Sequence, residues 1–357
     1  MTRFAFDNPP GRVVFGAGSL ATLSDELARL GLKRAFLVST PGRNVWLDSV
    51  GSSLGQSFAG KFDRAAPHVP QDVAFAAKAA AESVRADCLI ALGGGSAIGV
   101  AKAVALETGL PIVAVPTTYS GSEMTPVYGI TRDGTKETGR ASRVRPILVV
   151  YDPDLTLDLP ARVTACSGLN AMAHCVEALY AADANPLSSG AAMQAIMMLS
   201  MALPELARDP RDPVERSDAL EAAWFAGFAL GTVQMALHHK LCHTLGGAFD
   251  LPHADTHAVL LPYTAAYNRP AAKTQMRAVA DMLDADDAPS ALLRLATDIG
   301  APLSLSGLGF DERDIDRAAR LAVERQYPNP RPVTEEGIRD LLAAAFHGDS
   351  GYVAAES

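Results

Sequence analysis

The sequence predicts a two-domain protein, an α/β domain built on a parallel sheet over residues 1–154 followed by an all-α domain over residues 155–357. Three observations predict it. The first 150 residues alternate strand-like and helix-like segments; the pattern turns wholly helical after residues 149–152 (VVYD); and 357 residues, 48% hydrophobic and 20% charged, suffice for two cores.

The elements follow in order. Residues 12–15 (RVVF) form a short β-branched strand, 19–30 have helical spacing, and 34–39 (RAFLVS) form a buried strand. Residues 72–84 are an Ala-rich helix, 88–92 an apolar run stopped by glycines, 97–107 a helix and 112–115 a strand. Such alternation favours parallel strands joined by crossover helices. From residue 160 onward Ala, Leu and Met recur at helical spacing, with breaks expected near Pro186, Pro204, Pro252, Pro262 and Pro302. No repeat or long linker interrupts the chain, so the gap between the two domains is the expected ligand site.

Composition excludes several classes. A net charge of -9 argues against nucleic-acid and anionic-membrane partners, although a local basic pocket can still hold a small anion. Cys88, Cys166, Cys175 and Cys242 form no CxxC pair and read as reduced thiols. The opening MTRFAFDNPPGRVVFG has no apolar core of a signal peptide, and the apolar runs fall short of a bilayer span. The expected location is the cytoplasm.

Two loops suggest a nucleotide. Gly93, Gly94, Gly95 and Ser96 join the strand at 88–92 to the next helix, where free backbone N–H groups and the helix dipole attract phosphate. The run is neither GxGxxG nor a P-loop, and alone it is equally an ordinary tight turn. A second hydroxyl-rich loop with Thr117, Thr118 and Ser122 ends the strand at 112–115, on the same sheet edge, where open parallel sheets bind ligands. Thr117 and Ser122 also read simply as caps. At the end of the strand at 34–39 stand Thr40 and Arg43, with no acidic residue to repel a 2′-phosphate, so use of both NADH and NADPH is expected.

Five of the eight histidines lie within residues 237–257. His239 and His243 share a helical face, as do Asn170 and His174 on a separate helix, and His253 follows a proline. A lone histidine is more often a surface or core residue, but this clustering points to one site. His174, His239 and His253 are the obvious ligands for a divalent ion. Such a site wants a carboxylate, and the position one turn before His174 is the uncharged Asn170. No metal is therefore expected, and the imidazoles serve as hydrogen-bond donors.

These residues resemble a known family. Gly93-Gly94-Gly95-Ser96, Pro116-Thr117-Thr118, Asn170-x-x-x-His174, His239-x-x-x-His243-x-Leu-Gly-Gly and Pro252-His253 occur in the order of the iron-containing alcohol dehydrogenases. The resemblance implies the dehydroquinate synthase-like, iron-alcohol-dehydrogenase fold. Within that family, His-His-Lys-Leu-Cys-His and the segment at 329–334 (NPRPVT) resemble the maleylacetate reductases, in which asparagine also stands at the usual aspartate position. The resemblance implies an NAD(P)H-dependent reductase, often a homodimer, that converts maleylacetate to 3-oxoadipate during degradation of aromatic compounds. It also places Lys136 near the cofactor.

For that reaction His243 or His253 is expected to donate to the developing enolate oxygen. A neighbouring histidine, His239 or His174, or Tyr327 would protonate carbon. The dicarboxylate substrate needs cationic partners, for which Lys240, inside the histidine cluster, and Arg331, Arg140, Arg143 and Arg145 are candidates, each arginine read singly as a surface charge. Two rivals remain open: a metal-dependent alcohol or polyol dehydrogenase of the same fold, and a nucleotide-binding sensor without catalysis. A phosphate-eliminating relative is disfavoured because its chemistry relies on a metal and a more basic site.

Overall fold

The structure is a computed structural model that describes residues 11–42, 44–132 and 135–355. The chain divides into two compact units between Leu157 and Asp158.

The first unit is built on a six-stranded, all-parallel sheet. Its strands are β1 (Arg12–Phe15), β2 (Ala35–Val38), β3 (Phe58–Phe62), β4 (Cys88–Gly93), β5 (Ile112–Pro116) and β8 (Leu148–Tyr151), in the order β1-β8-β5-β4-β2-β3. Central strands are buried at every position, as expected of a sheet covered on both faces. The alternation of side chains along β4 divides them between two cores. Leu89 and Ala91 join Ala74, Ala77 and Ala81 of α3 (Gln71–Ser83) on one face; Cys88, Ile90 and Leu92 join Leu23 and Leu27 of α1 (Leu23–Arg29) and Leu47 and Val50 of α2 (Asn44–Leu54) on the other. The helix α4 (Gly95–Thr108) follows β4 directly, packing Ile98, Ala101 and Ala105 against the α3 face.

Strand order reverses between β2 and β4, and the carboxyl ends of strands at such a reversal are where open sheets take ligands. Thr40 and Gly94 follow those two ends. Three features depart from the sequence expectation. The helix expected at 19–30 begins as a 3-10 turn, Ser19–Thr22, before α1. The edge strand β3 contains Gly60 and Lys61, which weakened its pattern. An antiparallel hairpin, β6 (Val127–Arg132) with β7 (Thr135–Arg140), also went unforeseen.

The second unit is helical: α5 (Ala161–Leu179), α6 (Pro186–Arg208), α7 (Pro213–Thr232), α8 (Leu237–Phe249), α9 (His253–Asn268), α10 (Lys273–Met282), α11 (Ala288–Asp298), α12 (Ile315–Val323), α13 (Glu335–His347) and α14 (Ser350–Ala354). Helix α5 is buried along all but its first turn. By length and hydropathy α6 reaches the range of a membrane span, beyond what the sequence reading allowed, and it packs against α5 and α7.

Pro186 opens α6, behind an Asn185 cap, and Pro252 caps α9. Pro204 and Pro262, expected to break helices, instead lie inside α6 and α9. An interior proline destabilises a helix by about 3 kcal/mol, which the burial of Leu203, Leu206, Leu260 and Leu261 offsets.

One buried cation ties the start of α5 to the α6–α7 turn. Arg216, fully buried, donates from Nε and Nη2 to Pro210 O (2.9 and 2.6 Å), from Nη2 to Leu159 O (3.1 Å) and from Nη1 to Thr164 Oγ1 (2.9 Å). Arg216→Met removes donors from two buried acceptors, Leu159 O and Thr164 Oγ1, and from the exposed Pro210 carbonyl. The stability read from urea unfolding should fall by about 3 kcal/mol, with Arg216→Lys intermediate because it keeps charge but not the fork.

Candidate active site

In the sheet unit the two polar loops meet. A Cβ placed on Gly94 would stand 2.8 Å from Thr118 Oγ1, so only glycine allows this approach. Gly93 turns with φ +146 and passes its carbonyl to the Thr117 N–H at 3.2 Å. The α4 N-terminus has no side-chain cap, leaving its first N–H groups without a side-chain acceptor. Beside them Thr117 Oγ1 is buried and lacks a hydrogen-bond partner among the described residues. Free N–H donors and an unpaired buried hydroxyl fit the pyrophosphate of a dinucleotide. Gly95 is exposed and Ser96 half-buried at this edge.

Ser122 is held from within the protein. The buried Lys102 donates from Nζ to Ser122 O (2.7 Å), Ser122 Oγ (3.2 Å), Thr125 Oγ1 (2.9 Å) and Val127 O (2.7 Å). Burial pushes the Lys102 ammonium down to about 7, while nearby Glu123 opposes the shift. Glu123 is pushed up by burial and accepts from Tyr151 Oη at 2.9 Å. Thr40 is half-buried after β2, and Lys136 lies on β7 opposite Thr131. Arg43 lies outside the described residues.

In the helical unit three helices bring the histidines together. His174 is on α5, His238, His239 and His243 on α8, and His253 and His257 on α9. His239 has ring-centroid distances of 4.9 Å to both His174 and His257, and 6.2 Å to His243. His243 and His253 are stacked 6.0 Å apart.

Two hydrogen-bonded chains order these rings. Glu177, one turn beyond His174 and fully buried, accepts from the backbone N–H of His238 at 2.7 Å and from Nδ1 of His239. His239 therefore carries its proton on Nδ1, and its Nε2 accepts from His174 Nδ1 at 2.9 Å. In the second chain His238 bonds Thr264 Oγ1 through Nδ1 and His257 Nδ1 through Nε2, both at 2.9 Å. Burial pushes both His238 and His257 well below the usual imidazole range, with neighbouring histidines adding to the shift.

Asn170, His174, His239 and His253 stand at the positions expected around an iron site. Asn170 is buried beside His174 but brings no charge, and both nitrogens of His239 are already engaged. Among the described residues, the donor atoms close enough to share an ion belong to His238, Cys242 and His257, within 4.8 Å of one another.

Lys240 is half-buried on α8, pushed down by burial and by Arg325. Tyr327 has its buried hydroxyl unpartnered, and burial, aided by Glu177, pushes it up. Arg331 stacks 4.4 Å over the Tyr267 ring and donates to Tyr267 O at 3.2 Å. Sequence reasoning gave no role to Glu177, Thr264, His238, His257 or Lys102. Glu177 and His257 had a signal, since each lies one turn from a histidine already chosen, on the same face.

The comparisons agree with this architecture. Residues 10–153 match the family described as iron-containing alcohol dehydrogenase, and residues 164–346 match the C-terminal part of the Fe-containing alcohol dehydrogenase family. The chain therefore belongs to the iron-containing alcohol dehydrogenase family. Relatives within it include maleylacetate reductases. That of Burkholderia cepacia is 49% identical over 348 residues, covering 98% of this chain and 99% of its own. The crystal structure of maleylacetate reductase from Agrobacterium tumefaciens is 46% identical with a TM-score of 0.93, covering 98% of this chain and 99% of its own. An iron-containing alcohol dehydrogenase from Corynebacterium glutamicum is 39% identical with a TM-score of 0.94, covering 99% of this chain and 100% of its own.

The lowered histidines set a pH dependence of stability. His238 and His257 stay neutral when folded, while unfolding lets both take up protons below about pH 6.5. Their contribution is complete above that pH and is lost as pH falls. Unfolding free energies measured by urea at several pH values should drop by about 1.4 kcal/mol per pH unit for each ring below pH 6.5, and His257→Phe should remove one ring's share.

Proposed function

We propose that this chain reduces the conjugated double bond of maleylacetate to give 3-oxoadipate, using NADH or NADPH and no bound metal, as a step in breakdown of aromatic compounds. The observation that carries the reading is the nearly full-length match, at 49% identity, to a maleylacetate reductase. The chemistry of the histidine cluster supports it.

An alcohol dehydrogenase must stabilise a localised alkoxide, for which a Lewis acid contributes several kcal/mol. The substrate proposed here is an alkene conjugated to a ketone. Bound NAD(P)H supplies the hydride. With hydride on the alkene carbon, negative charge spreads onto the ketone oxygen as an enolate, and the adjacent carbon then takes a proton. The delocalised anion needs hydrogen-bond donors more than a cation. His243 and His253, stacked and half-buried, are the proposed donors to that oxygen. Tyr327 is the proposed carbon acid, since its raised phenol keeps its proton. Glu177 orients His239, and through it His174, by fixing their tautomers.

Lys240 is proposed to hold a substrate carboxylate, with Asn170 lining the same pocket and Arg331 as a further partner. Thr40, Arg43, Gly94, Gly95, Ser96, Thr117, Thr118, Ser122 and Lys136 are the proposed cofactor residues, of which Gly94 and Thr117 have the strongest geometric support. The acting form is proposed to be a cytoplasmic homodimer without nucleic-acid or membrane partners.

Loss of absorbance at 340 nm with fresh maleylacetate, measured with and without EDTA, tests the reading. Equal rates are expected. Near-stoichiometric iron or zinc with activity lost to chelator would instead make this a metal-dependent alcohol dehydrogenase. His243→Ala should lower kcat by ~10²–10⁴-fold, and an unchanged kcat would remove His243 from the mechanism. Both cofactors should be accepted, and a KM preference for NADH above roughly a thousandfold would defeat dual use.

A further inference from the structure

His257 is fully buried, yet its Nε2 has no hydrogen-bond partner among the described residues. The bonds behind it decide what that atom is. Thr264 has one hydroxyl proton, and its Oγ1 lies 3.0 Å from Leu260 O and 3.1 Å from Leu261 O. Carbonyls only accept, and a threonine inside a helix commonly bonds back to the preceding turn. With that proton engaged, Thr264 Oγ1 accepts from His238 Nδ1–H. His238 Nε2 is then a lone pair, and it accepts from His257 Nδ1–H. The Cys242 sulfur lies 3.7 Å from the same Nε2 and, with a lone pair there, would be the donor.

The opposite arrangement would leave His257 with a buried N–H and nothing to receive it. An orphaned N–H is rarer than an under-used acceptor. His257 Nε2 is therefore a bare lone pair inside the histidine cluster. The His253 ring is 4.5 Å away, the His238 ring 4.8 Å, the His239 ring 4.9 Å and the His174 ring 6.0 Å, centroid to centroid, with Glu177 behind His239.

We propose that Thr264, acting through His238, fixes His257 as the Nδ1–H tautomer, so that His257 Nε2 accepts one proton of a two-proton donor, a water or a doubly protonated neighbouring imidazole, and leaves its other proton directed to the substrate. The inference rests on the reductase reading for its chemistry but not for its tautomers. Thr264, His238 and His257 are positioning residues here. No bond to substrate is made or broken by them; they keep one acceptor pointing inward while charge develops elsewhere.

The test separates the two layers. In protein labelled with ¹⁵N-histidine, long-range proton–nitrogen NMR correlations distinguish Nδ1–H from Nε2–H rings. His238 and His257 should both read Nδ1–H in the wild type, and Thr264→Val should turn both to Nε2–H while Thr264→Ser keeps the original pattern. Finding His257 as Nε2–H in the wild type would overturn the proposal whatever the substrate is. In the maleylacetate assay Thr264→Val should lower kcat at least about tenfold with KM little changed, and Thr264→Ser should restore it. A Thr264→Val protein with switched tautomers and wild-type kcat would also overturn the catalytic part. Absence of any wild-type reductase activity would count against the proposed reaction alone, and the NMR result would still stand.

Discussion

The centre of the helical unit, where α5, α8 and α9 meet, packs buried imidazoles around one buried carboxylate, Glu177. An imidazole carries one proton and one lone pair, so each buried ring must find both a donor and an acceptor or leave a group unsatisfied. Glu177 solves this for one set of rings, because an acceptor-only group at the head of a chain dictates every tautomer after it. Thr264 does the same for the second set with a single hydroxyl. The rings are thereby fixed in direction by hydrogen bonds. The helix α5, buried almost throughout, sets the carboxylate at the depth required.

The sheet unit solves a different problem by removing side chains. Gly94 brings two loops within reach of each other where any Cβ would collide with Thr118, and the uncapped start of α4 leaves its N–H groups for a ligand. Lys102 works as an internal brace. Its four oxygen contacts hold the turn containing Ser122 to the start of β6, so the polar loop is shaped by a buried ammonium.

Much of this was legible in the sequence, for physical reasons that differ by element. The buried strands β2, β4 and β5 announce themselves as apolar runs, β4 stopped at glycine and β5 at proline. The helical half shows in its Ala, Leu and Met spacing. Edge strand β3 did not show, because FAGKF carries a glycine and a lysine in five residues and an edge strand needs less apolar surface. The β6–β7 hairpin had a signal that went unused, the Asp133–Gly134 pair between two Thr-rich runs. Pro204 and Pro262 misled because tertiary burial outweighs local helix preference. In the site, the histidines and Asn170 could be chosen by spacing alone. The direction of each proton could not, since it depends on Glu177 and Thr264, which only the packed helices bring into contact.

The segment at 329–334 acquires a meaning the motif did not carry. Asn329 pairs its amide with that of Asn268, at 2.7 and 3.2 Å, and its Oδ1 accepts from the first backbone N–H of α8, at Leu237, at 3.4 Å. Helices α8 and α9 are sequence neighbours, yet the peg that locks the entry to α8 arrives 92 residues after Leu237. A ribosome that has released α8 and α9 has still not delivered the part that pins them, so the interior of this unit closes late, after nearly all of the chain has emerged.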